Sequence, residues 1–159
     1  MKTNTNIKFL IPIGISGSGK SKWIASLGDG YAIISPDDIR RELTGDVSNQ
    51  TRNREVFEIA IDRAINTLNM LTNVVFDATN VTSRERRKML NHIRNNVVVD
   101  FTAYAKVFDV DPEICKARIK KDIDNGVDRS NVPPEAIDKQ YLKFNSGLKN
   151  IESDGYLLM

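Results

Sequence analysis

Gly14-Ile15-Ser16-Gly17-Ser18-Gly19-Lys20-Ser21 fits the pattern G-x-x-x-x-G-K-[ST] at every fixed position. Upstream, residues 7–13 form a short apolar run that reads as a buried strand. Downstream, a helical segment over residues 20–27 stops at Gly28-Asp29-Gly30. Strand, glycine-rich loop and helix in this order make a phosphate-binding loop. The glycines let the backbone wrap close to an anion, so that successive N–H groups form a nest. The helix start adds the positive end of its dipole. Gly14, Ser16, Gly17, Ser18, Gly19, Lys20 and Ser21 are therefore the nucleotide-binding candidates. Lys20 supplies a mobile charge for the β- and γ-phosphates, and the Ser21 hydroxyl is a hard oxygen ligand suited to Mg²⁺. The motif alone implies a bound nucleoside triphosphate and leaves open kinase, ATPase, GTPase or non-catalytic switch.

Outward from the loop, strands and helices alternate. Residues 31–35 read as a second strand. Ser35-Pro36-Asp37-Asp38 is a helix start, with proline at the first helical position and acids in the first turn. That helix ends near Thr44-Gly45. Val56, Ile59, Ala60, Ala64, Leu68 and Leu71 recur at helical spacing and predict a long helix over 52–71. Strands are expected at 73–77, 97–107 and 155–159, and helices at 83–95, 111–124 and 135–145. The strands are continuous apolar runs, the pattern of a parallel sheet covered on both faces. The expectation is an α/β fold of three layers, α/β/α, around a five-stranded parallel sheet, in one domain over 1–159. Pro12 counts against the first strand, because proline cannot donate to a sheet ladder.

In open parallel sheets, ligands sit beyond the carboxyl ends of the strands. Asp37 falls at that edge, where a carboxylate can take the proton of an attacking hydroxyl. The competing reading is that Asp37 and Asp38 only charge a helix start. Asp77, at the end of the third strand, can hold magnesium through water or anchor a basic residue, and Thr79 and Asn80 are candidates to meet the substrate; the competing reading of this segment is a turn with a helix cap. The polar segment 125–134, with Arg129 inside it and Arg118, Lys120 and Lys121 before it, reads as a basic lid over 118–134. An arginine closing over a transferring phosphoryl group stabilises its charge.

Composition sets wide bounds. The 159 residues are 40% hydrophobic and 28% charged, with a net charge of +2, as in an ordinary soluble domain that tolerates a polyanionic substrate without requiring one. One cysteine, Cys115, excludes an internal disulfide, and it reads as a core residue. The lone His92 has no metal-like partner at helical spacing. The polar start, Met1 to Lys8, is not a signal peptide, and no apolar run approaches the ~20 residues of a membrane span. The expectation is a cytoplasmic protein without a membrane partner.

The loop with its Lys22-Trp23 continuation, Asp37-Asp38-Ile39-Arg40, Thr79-Asn80 followed by Arg86-Arg87, and Val132-Pro133 together resemble the kinase domain of phage polynucleotide kinases. The resemblance covers most of the chain. It implies a P-loop kinase that uses ATP and magnesium to phosphorylate the 5′-hydroxyl of DNA or RNA, in the host cytoplasm if phage-encoded. It implies Asp37 as general base, Lys20 and Ser21 on phosphates and metal, Arg40 on the acceptor strand, and a lid arginine on the transferring phosphate. Arg129 is chosen for that last role because it precedes Val132-Pro133, with Arg118 as rival. One departure is local: Ala78 separates Asp77 from the Thr-Asn pair, where the closest phage enzymes place the acid directly before it. Phage relatives often carry a phosphatase domain after the kinase, and this chain is expected to carry the kinase part alone.

Two alternatives stay open. The same parts would serve a kinase acting on another hydroxyl, such as a small metabolite, an RNA end used as a mark, or a hydroxymethylated base. A nucleotide-dependent binding module without transfer is the other. Arg52, Arg54 and Arg86 clustered around a groove would favour nucleic acid, and a closed pocket would favour a metabolite.

Overall fold

The computed structural model describes residues 6–159. The reading of the first few residues as no signal peptide lies largely outside that range. In chain order the elements are β1 (Ile7–Ile13), α1 (Lys20–Ser26), β2 (Tyr31–Ile34), α2 (Pro36–Thr44), α3 (Asn53–Asn69), β3 (Asn73–Phe76), α4 (Ser83–Asn96), β4 (Phe101–Val107), α5 (Pro112–Asp124), α6 (Pro134–Gly147), a 3₁₀ turn (Leu148–Asn150) and β5 (Leu157–Leu158). The strands form one sheet in the order β2-β3-β1-β4-β5, and every pairing is parallel. The expected α/β sheet is present.

Strand periodicity sorts the core into two layers. Phe9, Ile11 and Ile13 of β1 face the larger cluster with Val74 and Phe76 of β3 and Ala103 and Ala105 of β4. Val56, Ala60, Ala64 and Leu68 of α3 and Leu90 and Ile93 of α4 cover it. Leu10 and Val75 point the other way, onto Ile24, Trp23 and Leu27 of the α1 region. Side chains alternate between faces with a period of two, so both faces of β1 must be apolar, and they are.

Pro12 sits inside central β1 without breaking it. In a parallel strand, the N–H and C=O of one residue face the same neighbour. The Pro12 carbonyl accepts from Asn80 Nδ2 at 2.8 Å, and Gly14 N–H, two residues on, donates to Thr79 O at 3.0 Å. The Pro12 nitrogen therefore faces the β3 side, beyond the registered pairs Phe9–Val74 and Leu10–Val75. The β4 ladder loses nothing.

Two boundaries differ from the sequence expectation. The fourth strand starts at Phe101, not at residue 97. Helix α4 continues through Asn96, Val97 N–H bonds back to Ile93 O, and Val98, highly exposed, donates its N–H to Asn69 Oδ1. The three valines form a connection despite their strand propensity. The fifth strand is only two residues long, because residues 151–155 form turns. A fully buried ion pair anchors those turns. Asp154 Oδ2 accepts from Arg86 Nε at 3.2 Å and Nη2 at 3.0 Å, and both side chains are 0% exposed. Arg86 Nη1 also donates to the carbonyls of Asn80 and Val81, and its Nη2 donates to that of Gly147. Gly147 has no room for a side chain, since a Cβ would lie 2.2 Å from Val81 O.

Candidate active site

The loop between β1 and α1 follows its sequence closely. Gly17 and Gly19 have φ of 82° and 101°, the left-handed region that favours glycine. A Cβ on Gly17 would also lie 2.8 Å from Cys115 O, so α5 packs directly on the loop. Two side chains support it from outside. Gln140 Oε1 of α6 accepts from Ser16 N–H at 2.9 Å, and Arg118 Nη1 of α5 donates to Gly17 O at 3.1 Å.

Lys20 Nζ donates to Gly14 O at 3.0 Å and Ile15 O at 2.7 Å, which folds the ammonium over the loop. Burial pulls its pKa down to about 8. Asp77 opposes that most, with Cys115 and Asp37 opposing it less, and Arg129 reinforces it. Asp77, Asp37 and Arg129 thus all act electrostatically on this lysine. Burial raises the Asp77 carboxyl above its ordinary value, against the pull of Lys20, while Asp37 and Asp38 add to the rise.

Helix α2 places Asp37. The Ser35 hydroxyl caps the helix by accepting from Asp38 N–H at 3.2 Å, and Pro36 occupies the first turn. Capping falls to Ser35, so Asp37 is not needed for it. Instead Asp37 Oδ1 accepts from Arg40 Nη1, one turn on. Arg40 is 4% exposed, and its Nε and Nη2 both donate to Asn53 Oδ1 of α3. Arg40 also lines the cleft, with its guanidinium holding Asp37 and Asn53.

These groups share one open cleft of about 1020 Å³, lined by residues 16–22 of the loop, Asp37, Arg40, Asp77, Thr79 and Arg129. Val47, Gln50, Asn53, Phe57 and Val132 also line it. Arg129 donates from Nη1 to Asp122 Oδ2 at 2.7 Å, and its buried Nε has no partner among the described residues. The lid segment touches α2 where Asp128 Oδ2 lies 3.0 Å from Arg41 Nε.

Asn80 does not join the site. It is 8% exposed with φ of 53°, and its amide clips the carbonyls of Pro12, Phe76 and Ala78. It shapes the loop and is not among the residues that line the cleft. Nor do Arg52, Arg54 and Arg86 form a basic rim. Arg52 pairs with Glu55, Arg54 with Glu58, and Arg86 is buried. Sequence reasoning missed Gln140, whose only sign was a polar residue on the inner face of a helix.

The donor chemistry fits magnesium. Ser21 and Asp77 offer hard oxygens beside the phosphate loop. Among the described residues no group of three or more His, Cys, Asp or Glu could hold a metal by itself, so phosphate and water oxygens would complete the shell.

A loop that cradles a triphosphate, a lysine above it and a fixed carboxylate across the cleft serve phosphoryl transfer, and the chain is a P-loop kinase. Residues 9–146 match the model of the AAA_33 family, described as an AAA domain, and the chain belongs to that family. It is 28% identical over 162 residues to a protein of Autographa californica nuclear polyhedrosis virus named a bifunctional polynucleotide kinase/RNA ligase. The match covers 91% of this chain and 22% of that protein. A chain of the Pnkp1/Rnl/Hen1 RNA repair complex superposes with a TM-score of 0.78 at 26% identity, covering 94% of this chain and 48% of that one. A gluconokinase from Sinorhizobium meliloti shares the fold, with a TM-score of 0.52 at 16% identity over 95% of this chain and 81% of its own. This chain therefore spans about a fifth of the viral relative and about half of the repair-complex chain. No helix among the described residues is long and apolar enough to cross a membrane.

Proposed function

We propose that the chain is a polynucleotide 5′-kinase that moves the γ-phosphate of ATP onto a 5′-hydroxyl of DNA or RNA. The observation that carries this reading is the acceptor side of the cleft. Asn53 and Phe57 are one turn apart on α3 and so share a face. Asn53 holds Arg40, Arg40 holds Asp37, and Phe57 is 40% exposed beside them. An aromatic face next to the base suits a terminal nucleobase, since stacking accepts any base. Val47 and Val132 add apolar lining to the same cleft. The cleft is open, which suits the end of a chain better than a small sugar. The polynucleotide kinase relatives agree with this choice, while the likeness to a gluconokinase bears on the fold alone.

In this reading Asp37 accepts the proton of the 5′-hydroxyl as its oxygen attacks the γ-phosphorus in line, and the bond from that phosphorus to the β–γ bridging oxygen breaks to release ADP. Arg40 keeps the carboxylate pointed at that hydroxyl. Lys20 leaves the Gly14 and Ile15 carbonyls for the β- and γ-oxygens, and Arg129 meets the charge on the transferring group as the 118–134 lid closes. Ser21 and Asp77 would hold magnesium, which neutralises charge on the phosphates. Thr79, which lines the cleft, meets the acceptor in this reading.

The test is transfer of labelled phosphate from ATP with Mg²⁺, wild type beside Asp37→Asn. The panel holds 5′-hydroxyl DNA, 5′-hydroxyl RNA, DNA with hydroxymethylated pyrimidines, and sugars and nucleosides. Label at a 5′ end that vanishes in the variant supports the reading. Label only on a modified base or small acceptor overturns the substrate, and label retained in Asp37→Asn overturns the base.

A further inference from the structure

Helix α4 carries a stripe that the active site does not use. Ser83, Arg84, Arg87, Lys88 and Asn91 recur at three- and four-residue spacing and line a shallow hollow of about 630 Å³. Arg84, Arg87, Lys88 and Asn91 are exposed. Arg84 and Lys88 make no ion pair or side-chain hydrogen bond among the described residues, unlike Arg52, Arg54 and Arg63, which each pair with an acid. Arg87 reaches Asp154 at 3.2 Å, but that carboxylate already balances the buried Arg86. Glu85 is the one acid on the helix. Four cations against Glu85 and Asp154 leave a local excess of about two positive charges. An ordinary solvated helix face interleaves signs, and this one does not.

The stripe is also well placed. The connection from β3 to α4 begins at the carboxyl edge of the sheet. It includes Thr79, whose carbonyl accepts from Gly14 N–H. The first turn of α4 therefore stands at the same edge as the phosphate loop. From Arg84 to Asn91 the stripe runs for roughly 10 Å along the helix, enough for about two or three backbone phosphates.

We infer that Arg84, Arg87 and Lys88 form a docking surface for the phosphate backbone of the acceptor strand, away from its reacting end. This rests on the polynucleotide reading above for its ligand. The surface reads charge and not sequence, because the stripe holds no aromatic side chain. It would favour acceptors several nucleotides long over a dinucleotide or a free nucleoside.

The experiment uses fluorescence anisotropy of a 3′-labelled 20-nucleotide single strand with a 5′-hydroxyl. Wild type is compared with Arg84→Glu/Lys88→Glu and with Lys139→Glu/Lys143→Glu on α6, an equal charge change elsewhere. Arg87 is left in place because it touches Asp154. The expected result is that the α4 variant binds the strand at least ~10-fold more weakly. Its plot of log K against log salt should be shallower by about 1.4 units, while the α6 variant stays within ~2-fold of wild type. Phosphorylation of a trinucleotide should be unchanged in the α4 variant, and its KM for the 20-mer should rise. No binding by wild type, or equal losses in both variants, overturns the docking surface. Binding through α4 with no phosphorylation of any strand would sink the kinase substrate reading and leave the docking surface standing.

Discussion

Arg40 and Asp37 are an unequal pair. The arginine side chain is 5% exposed, while the aspartate it grips is 55% exposed. The buried partner is fixed by Asn53 at 2.9 Å, so the exposed one inherits its position from α3. A carboxylate anchored in this way presents its free oxygen to the cleft in a defined direction. Asp37→Asn keeps the size and removes the basicity, and kcat should fall by roughly 10²–10⁴-fold with ATP affinity retained. Arg40→Lys cannot fork between Asp37 and Asn53, and kcat should fall by about 10²-fold through misplacement of the base. Steady-state kinetics with titrated ATP checks both. An Arg40→Lys enzyme with normal kcat would show that the base needs no anchoring.

Lys20 gives a pH signature whose sign is fixed. Its pKa in the folded protein is about 8, against 10.5 for a free side chain, because burial disfavours the ammonium. Between those values the unfolded chain binds more protons than the folded one, so this group makes the ATP-free protein more stable as pH rises. Triphosphate favours the ammonium. ATP binding above pH 8 therefore takes up a proton and weakens by about tenfold per pH unit. Calorimetric titration at pH 7, 8 and 9, in buffers of different ionisation enthalpy, reads both quantities. A dissociation constant flat across that range would rule out a depressed Lys20.

Much of the catalytic edge was legible because its causes are local. Gly17 and Gly19 need left-handed φ, Pro36 marks a helix start, and Val74 and Val75 must be buried on both faces. The misreadings involve partners distant in the chain. Arg86 looked like one more basic surface residue, because its carboxylate lies 68 positions away. The structural role of Asn80 was equally hidden, since its link to Pro12 also spans 68 positions. Val97 to Val99 carry strand propensity, but helix capping at Val97 and the Asn69 contact claim that segment first.

The two lid arginines should separate kinetically. Arg129 bears on Lys20 electrostatically and has a buried Nε without a partner among the described residues, whereas Arg118 is bonded to the carbonyl of Gly17. Arg129→Ala should lower kcat by ~10²-fold or more with little change in KM for ATP. Arg118→Ala should loosen the loop and raise KM for ATP, with kcat nearly kept. Initial-rate measurements on both variants decide, and the opposite split would hand the catalytic role to Arg118.

The Arg86–Asp154 pair should dominate mutational stability outside the apolar core. With both side chains at 0% exposure, the charges are out of water and depend on each other. Asp154 also accepts from the Ser83 hydroxyl at 2.6 Å, and Tyr156 donates its hydroxyl to Arg86 O at 3.1 Å. Asp154→Asn leaves a buried guanidinium without its counter-charge, so unfolding free energy should drop by about 3–5 kcal/mol. Arg86→Met should lose at least as much, because the carbonyls of Asn80, Val81 and Gly147 lose their donor as well. Replacing both members with apolar residues should recover part of the loss. Urea unfolding with an unchanged m-value measures it. A loss below about 1 kcal/mol in Asp154→Asn, the range of exposed pairs, would mean that water reaches the pair and that the Asn80 turn is held by its own amide alone.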